Sequence, residues 1–273
     1  MRAFGPGALV APDAHVVAHL HRSEDLDVYD AWCERRTCRV IVKTPRPDRR
    51  GDRRIVRALL AEGRLLCRLS HPAIVRGYEV HDGPRPSIVM ETLGGETLDH
   101  LVRRREHRRL AAAEIAVVAL QLGGALRYLH AAGVLHLDVK LANVIADAGR
   151  AKLVDLSIAR RPGRVVPGLG TPSNMAPEQA RGGDVAPAAD VWGLGTVLYE
   201  LATGANPFAD DDTAEFPQLE RRAAAVGARR RLPAALAAAI DGCLEPDPAS
   251  RPPLRELLGT AAAVAGGAPA AGR

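Results

Sequence analysis

Hydrophobic and polar positions follow different patterns on either side of residue 92 of this chain. Before it, short runs rich in β-branched residues are bounded by turn residues, which predicts strands. The predicted strands are Ala14–Leu20, Val28–Trp32, Arg39–Lys43, Ile74–Val80 and Ser87–Glu91. One helix is predicted among them at Asp52–Leu69, because its apolar residues recur at helical spacing.

After residue 92 the helical period dominates. The predicted helices are Ala113–Ala132, Ala188–Thr203, Pro233–Leu244 and Pro252–Ala262, with short strands at Asn143–Ala146 and Ala151–Val154. This order predicts an α+β fold with a small sheet-rich N-lobe and a larger, mainly helical C-lobe. We expect a flexible N-terminus at 1–13, one domain at 14–262 with lobes at about 14–91 and 94–262, and a flexible tail at 263–273.

Composition excludes several classes of protein. The chain has 273 residues, of which 47% are hydrophobic and 25% charged, and these are ordinary globular values. It contains no apolar stretch of about 18 residues that is free of charges and turn residues, so we expect no membrane span. The first residues make a poor signal peptide. A cytoplasmic location is therefore expected.

Neither the cysteines nor the basic residues indicate a metal or nucleic-acid site. The four cysteines are Cys33, Cys38, Cys67 and Cys243; no CxxC pair is present, and reduced thiols are expected. The net charge is +5. The Arg-rich stretches 46–57 and 103–109 lack the interleaved aromatic residues that stack on bases, so no nucleic acid is expected as a partner.

A series of short motifs follows the first long helix of the C-lobe. Residues 136–143 read HLDVKLAN, similar to the H-R-D-L-x-x-x-N catalytic loop of protein kinases, and residues 155–157 read DLS in the place of D-F-G. Residues 175–178 contain A-P-E, residues 190–195 read DVWGLG, and residues 40–43 read VIVK in the place of V-A-I-K. In this order, over roughly residues 14–262, the chain resembles the eukaryotic-like (Hanks-type) serine/threonine protein kinases of bacteria.

The resemblance implies a two-lobed kinase fold with an antiparallel-sheet N-lobe, and it assigns catalytic roles to three residues. Asp138 would accept the proton of the substrate hydroxyl, and Lys140 would reach the γ-phosphate of ATP. Thr171 would bond to both of them and favour Ser/Thr over Tyr acceptors. The expected function is transfer of the γ-phosphoryl of Mg-ATP to Ser/Thr hydroxyls of proteins.

The resemblance also implies a site for ATP and its metal. Lys43 would hold the α- and β-phosphates and pair with Glu62. The residues expected around the adenine are Met90, Glu91, Leu93, Leu20 and Val28. Asn143 and Asp155 would bind Mg²⁺ or Mn²⁺. Lys43 and Lys140 are two of only three lysines among 37 Lys and Arg residues, which supports a specific need for an ammonium group at both positions.

The largest departure from the family lies in the phosphate-binding loop. His21, Ser23 and Leu26 occupy the positions of the three glycines in G-x-G-x-x-G, so the backbone freedom of glycine is lost. Glu24, Asp25 and Asp27 would place carboxylates close to the triphosphate. Ile41 is bulkier than the small residue that the family has over adenine. Gly77 stands where a larger apolar side chain is usual, and Ser157 replaces the glycine of D-F-G.

Leu137 replaces the arginine of H-R-D, which normally contacts a phosphorylated residue of the activation segment. Residues 158–170 contain no Ser, Thr or Tyr. The acceptor and its arginine are therefore missing together, which predicts a segment that needs no switch phosphorylation. By contrast, structural roles are expected for His136 and for a buried ion pair between Glu178 and Arg251.

Three classes of function remain open. An active protein kinase is favoured by the complete set of catalytic polar residues. A pseudokinase that scaffolds or binds nucleotide weakly is favoured by the altered loop and by Ile41. A small-molecule kinase is disfavoured by Thr171 and the A-P-E element, which build a peptide platform. The activating input is left open between a cytosolic regulatory partner, a dimer and constitutive activity.

Overall fold

The computed structural model describes residues 2–104, 109–208 and 214–267. The chain divides into two compact units, Met1–Gly94 and Gly95–Arg273. The division falls within the linker that the sequence predicts around Glu91–Gly95. Each unit is built on its own hydrophobic core.

The first unit is a six-stranded antiparallel sheet with one helix. The strand order is β1-β2-β3-β4-β6-β5, and the helix packs on β5 and β6. The elements are β1 Leu9–Ala11, β2 Ala14–Arg22, β3 Leu26–Cys33, β4 Cys38–Pro45, α1 Arg53–Arg68, β5 Gly77–His81 and β6 Ser87–Glu91. The antiparallel sheet that the kinase resemblance implies for this unit is therefore present.

Part of the segment predicted as a flexible N-terminus is ordered. Residues Leu9–Ala11 form β1, which pairs antiparallel with β2, and Val10 and Ala11 are buried in the core of the sheet. The short apolar run broken by Pro12 and Asp13 therefore forms an edge strand, and its buried side chains belong to the same cluster as Val16 and Tyr29.

Helix α1 begins where the sequence predicts. The carboxylate of Asp52 accepts hydrogen bonds from the backbone N–H groups of Arg54 and Ile55, which satisfies two of the free donors of the first turn. The apolar face of α1 lies against β5, and Gly77 is one point where helix and strand approach closely. A Cβ on Gly77 would lie 2.8 Å from the Cβ of Leu66, so the missing side chain allows helix and strand to pack closely.

The second unit is mainly helical. Its strands are β7 Glu96–Thr97, β8 Val144–Asp147, β9 Arg150–Leu153, β10 Gly163–Arg164 and β11 Asp184–Val185, in a three-stranded sheet β7-β8-β9 and a pair β10-β11. Its helices are α2 Leu98–Arg104, α3 Ala112–Ala131, α4 Pro177–Arg181, α5 Pro187–Thr203, α6 Val226–Arg229, α7 Ala234–Cys243 and α8 Leu254–Gly266. Residues 263–266 of the predicted flexible tail therefore belong to α8, and residues 268–273 lie outside the described residues.

Helices α3 and α5 form the centre of this unit. α5 begins at Pro187 in its first turn and ends at Gly204, whose φ of +83° suits a glycine. By length and composition α3 is the one helix among the described residues that could cross a membrane. Half of its apolar window is buried inside the protein, as in the core helix of a globular unit, so this is weak support for a membrane span.

Candidate active site

The nucleotide-side residues of the first unit centre on Lys43. Its Nζ lies 2.9 Å from both carboxylate oxygens of Glu62, which projects from α1. The side chains of Lys43 and Glu62 are only 10% and 2% exposed. A buried charge pair with this geometry holds the ammonium group at a fixed point on β4.

The five residues expected around adenine all belong to the first unit. Leu20 on β2 is exposed, and Val28 on β3 is partly buried. Met90 on β6 is buried, and Glu91 ends that strand. In the described part of the chain the backbone N–H and C=O groups of Leu93 have no protein partner, so both are free to bond to the edge of a base.

The β2–β3 turn differs from the expectation at Asp27. This carboxylate does not face outward: it is buried and accepts hydrogen bonds from Arg22 at 2.7 and 2.8 Å, from the His19 ring at 3.0 Å and from the Tyr29 hydroxyl at 3.1 Å. Burial alone would raise the pKa of Asp27, but the bonds from Arg22 and His19 lower it overall. Its charge is neutralised within the hairpin, and only Glu24 and Asp25 remain near the expected phosphate position.

In the second unit, hydrogen-bond donors surround the carboxylate of Asp138. Thr171 Oγ1 donates to Asp138 Oδ1 at 2.7 Å, and Lys140 Nζ lies 2.8 Å from Asp138 Oδ2. Lys140 Nζ also donates to Thr171 Oγ1 at 2.6 Å. Asn143 Nδ2 donates to Asp138 Oδ2 at 2.8 Å and to its backbone carbonyl at 2.9 Å. The structure thus brings all three predicted catalytic residues into mutual contact.

A strained turn of the backbone immediately precedes Asp138. Leu137 has a φ of +66°, which is costly for a residue with a branched side chain. The buried carboxylate of Asp190 accepts from the backbone N–H groups of His136 at 2.9 Å and Leu137 at 2.7 Å, and from the His130 ring at 2.7 Å. Asp190, in the first turn of α5, therefore holds the loop in this conformation.

His136 has the structural role expected from the sequence. Its ring is completely buried, and its Nδ1 accepts the backbone N–H of Asp138 at 3.2 Å. Burial lowers the pKa of His136, so the ring is neutral near pH 7. The imidazole therefore packs beneath the loop as an uncharged acceptor.

The two predicted metal ligands flank the hairpin of β8 and β9. Asn143 immediately precedes β8 and Asp155 follows β9, and the backbone N–H of Val154 donates to the carbonyl of Asn143 at 2.9 Å. Asp155 has a φ of +64°, a strained value often associated with functional sites. Amide and carboxylate oxygens are hard donors that suit Mg²⁺ or Mn²⁺, so the donor set fits a divalent metal.

The ion pair expected between Glu178 and Arg251 is present and buried. The guanidinium binds both carboxylate oxygens at 2.8 Å, and the side chain of Arg251 is 0% exposed. Its remaining donors bond to the backbone carbonyls of Glu245, Ala188 and Pro246. All donor groups of the guanidinium are therefore used, and the pair joins α4 to the start of α8.

Comparison with known proteins gives the family. A family model described as the protein kinase domain matches residues 26–261. The chain belongs to the protein kinase family. The predicted resemblance and the predicted α+β fold are both confirmed.

Several bacterial serine/threonine-protein kinases are similar to this kinase domain. PknA of Mycobacterium tuberculosis is 36% identical over 202 residues, which cover 67% of this chain and 45% of PknA. PkaA of Streptomyces coelicolor is 35% identical over 229 residues, which cover 80% of this chain and 41% of PkaA. The crystal structure of the PknI kinase domain of Mycobacterium tuberculosis has a TM-score of 0.76 and 26% identity, and the match covers 97% of this chain and 100% of that one. This kinase domain spans about half the length of the curated relatives that it matches.

Two further residues of this kinase domain contact the loop of residues 136–143: Gly193, within the DVWGLG motif, and Gln179, which no motif indicated. Gln179 on α4 is buried, and its Nε2 donates to the carbonyl of Leu137 at 2.9 Å and to that of Leu169 at 2.9 Å. Gly193 on α5 allows Val139 to approach, since a Cβ there would lie 2.9 Å from the Cβ of Val139. Gln179 directly follows the A-P-E element, but nothing in a single sequence indicates where its side chain points.

Leu137, which replaces the family's arginine, is buried and contributes no charge to the activation segment. Its backbone instead ties the loop to Asp190 and Gln179. That the segment needs no phosphorylation stays a prediction.

The pKa of Glu200, an acidic group near the activation segment, lies close to neutral. Burial raises the pKa of Glu200 to about 7, although Asn206 and Asn174 donate hydrogen bonds to its carboxylate. The backbone N–H of Asn174 in turn donates to the carbonyl of Thr171. The protonation state of Glu200 is therefore linked, through the hydrogen bonds of Asn174, to the segment that carries Thr171.

Replacing Glu200 by glutamine is expected to remove one pH-dependent contribution to stability. The folded protein keeps this proton up to about pH 7, whereas the unfolded chain loses it near 4.5, so native stability falls as the pH rises between these values. Relative to E200Q, the wild type should lose about 3 kcal/mol between pH 4.5 and 8, measured as the free energy of unfolding in urea. The exposed control Glu220→Gln should follow the wild type, and parallel curves for wild type and E200Q would refute the assignment.

Proposed function

We propose that this kinase domain is an active serine/threonine protein kinase that transfers the γ-phosphoryl group of ATP to hydroxyl groups of proteins. The observation that carries the proposal is the closed set of contacts among Asp138, Lys140 and Thr171. A domain that only scaffolds has no requirement for a base, a phosphate-binding ammonium and two metal ligands together.

The geometry suggests a role for each residue of the second unit. Asp138 Oδ1 and Oδ2 are held in place by Thr171 and Asn143, so the carboxylate is positioned to accept the proton of an incoming hydroxyl. Lys140 supplies a positive charge beside that oxygen and is placed to neutralise charge on the transferred phosphoryl group. Asn143 and Asp155 would hold the divalent metal, which neutralises charge on the phosphate oxygens when bound.

The first unit would bind the nucleotide. Lys43, held by its pair with Glu62, would contact the α- and β-phosphates, as the family resemblance implies. The free backbone groups of Leu93, the carbonyl of Glu91 and the apolar side chains of Leu20, Val28 and Met90 would bind adenine. We propose Mg²⁺ as the metal, with Mn²⁺ as the alternative to be compared in the assay.

Serine and threonine are proposed as acceptors because of Thr171. Its hydroxyl lies 2.7 Å from the carboxylate of Asp138 and 2.6 Å from Nζ of Lys140. Asp138, the proposed base, is therefore held close to the backbone of the activation segment. The short side chains of Ser and Thr bring their hydroxyls near the peptide backbone, whereas a tyrosine hydroxyl lies much farther from it. We further propose a cytoplasmic location with protein substrates, and an input from a regulatory partner or a dimer.

The β2–β3 turn favours one alternative, a pseudokinase. The turn is closed by hydrogen bonds between Ser23 and Leu26, and Arg46 donates from its backbone and side chain to the carbonyls of Asp25 and Glu24. A turn fixed by side chains cannot fold over phosphates as a glycine loop does. If the loss of backbone contacts to the phosphates outweighs the intact catalytic residues, the protein binds nucleotide weakly and transfers no phosphoryl group.

Replacing Lys43 by arginine distinguishes these functions. A guanidinium is wider than an ammonium and cannot occupy the same point between Glu62 and a phosphate, so transfer should fall about 100-fold. The assay would follow label from ATP to a generic basic protein with Mg²⁺ or Mn²⁺, together with the shift in Tm on adding ATP and metal. Lys152→Arg is the matched control and should behave as the wild type.

The outcomes of this assay distinguish an active kinase from the two kinds of pseudokinase. Transfer by the wild type and Lys152→Arg but not by Lys43→Arg supports the kinase. A metal-dependent shift in Tm without transfer identifies a nucleotide-binding pseudokinase. Neither transfer nor a shift in Tm identifies a scaffold that does not bind ATP.

A further inference from the structure

The hairpin between β3 and β4 brings two cysteines opposite each other. Cys33 is the last residue of β3, Cys38 is the first of β4, and they are paired in the antiparallel register. Directly opposed residues of antiparallel strands have Cα atoms about 4.5–5.5 Å apart. A disulfide needs a Cα separation of about 4.4–6.8 Å, so the backbone already provides the required distance.

The two side chains also lie on the same face of the sheet. Side chains alternate between faces along a strand, so Cys33 shares the face of Ala31, and Cys38 shares the face of Val40. Ala31 and Val40 are themselves paired, and both are completely buried in the sheet core. The two side chains therefore lie on the same face, two residues along each strand from a buried apolar pair, with Cys33 inside the buried cluster and Cys38 at its exposed end.

The two thiols differ in access to solvent. Cys38 is exposed, whereas Cys33 is buried with 3% exposure. The turn between them is held in place, because Arg35 and Arg36 both pair with the carboxylate of Glu79, and the Thr37 N–H donates to the Glu34 carbonyl. An exposed thiol next to a protected one matches the division between an attacking and a resolving cysteine.

We propose that Cys33 and Cys38 are a redox-sensitive dithiol that forms an intrachain disulfide with a hydroperoxide as oxidant. The thiolate of Cys38 attacks the peroxide oxygen, which yields a sulfenic acid on Cys38 and releases the alkoxide as an alcohol or as water. The thiol of Cys33 then attacks the sulfenic sulfur, and the S–S bond forms as water leaves. Two thiols are oxidised and one peroxide is reduced.

The disulfide would act on the strand that carries Lys43. β4 extends from Cys38 to Pro45, so a covalent link at its first residue fixes the register of the strand relative to β3. Closing a short loop also removes conformations from the unfolded chain. The oxidised protein should show a Tm raised by about 4 °C, and a dithiol reductant should reverse the change.

Tryptic mapping of the full chain tests the proposal directly. Trypsin cuts after Arg22, Arg35, Arg36 and Arg39, so Cys33 and Cys38 end up on separate peptides, residues 23–35 and 37–39. The protein is treated at low concentration with hydrogen peroxide, its free thiols are blocked, and it is digested without reductant. We expect the two peptides to be joined, with a mass two hydrogens below their sum, in a protein that remains monomeric on a non-reducing gel.

Single substitutions provide the controls. Cys38→Ser and Cys33→Ser should each abolish the linked peptide and the rise in Tm. Cys67→Ser, which removes another exposed thiol, should change neither. The proposal is overturned if Cys38 accumulates as sulfinic acid without a link, or if the disulfides join Cys38 to Cys67 or to a second chain. Because the readout is mass and Tm, it is independent of kinase activity.

Discussion

Asp138→Asn is expected to lower the rate of phosphoryl transfer by about 10²–10⁴-fold, the usual contribution of a positioned general base. The amide cannot accept the proton of the substrate hydroxyl. Its NH₂ group would also face the Nζ of Lys140 or the Nδ2 of Asn143, which now lie 2.8 Å from Asp138 Oδ2 and both donate. The measurement is kcat for label transfer from ATP to a protein acceptor.

The effect should be confined to catalysis. Asp138→Asn should keep the shift in Tm caused by ATP and metal, since the nucleotide-side residues Lys43 and Glu62 are untouched. Asp82→Asn, in an exposed position of the first unit, is the matched control and should retain full transfer. Equal rates for wild type and Asp138→Asn would remove Asp138 from the mechanism.

Arg251→Ala should destabilise the second unit by about 3–5 kcal/mol, the cost of breaking a buried ion pair from one side. The substitution leaves the Glu178 carboxylate, 12% exposed in its side chain, without its partner. It also removes the donors to the carbonyls of Glu245 and Ala188. The free energy of unfolding in urea is the measurement.

The fluorescence of Trp192 reports this transition, because its indole is buried in the folded unit and becomes exposed to water on unfolding. A Trp32→Phe background leaves Trp192 as the single tryptophan of the chain. Arg255→Ala removes an arginine that is 79% exposed and should change stability by about 0.5 kcal/mol or less. A loss below about 1 kcal/mol for Arg251→Ala would show that the pair is not structural.

The proposed catalytic residues could be picked out from the sequence because their spacing in the chain is short. Asp138, Lys140 and Asn143 lie on one loop, so their order along the chain largely determines their arrangement in space. The contacts of Asp190 and Gln179 with this loop join residues far apart in sequence. Distant contacts depend on how helices pack, and a single sequence does not encode packing in any local pattern.

The N-terminal region also shows that contacts between distant residues cannot be predicted from a local pattern. The sequence correctly predicts strands on both sides of the altered loop, but it places the carboxylate of Asp27 close to the triphosphate rather than inside the hairpin. Alternation places Asp27 on the same face as Tyr29, and Arg22 and His19 reach it only because β2 pairs with β3. Likewise β1 was predicted as flexible, since three residues carry too little periodic signal to predict a strand that depends on its neighbour.

By itself, the sequence determined the kinase family and the α+β class, because these follow from hydrophobic period and from motifs of adjacent residues, and it predicted a linker near Glu91–Gly95 and a set of site residues. Only the tertiary structure decided how that chemistry is held in place. The strained turn at Leu137, the neutralised Asp27 and the opposed thiols of Cys33 and Cys38 each depend on which elements become neighbours. Burial and strand pairing depend on the whole fold. Their contributions to stability come from contacts between residues that are far apart in the sequence, so no local pattern reveals them.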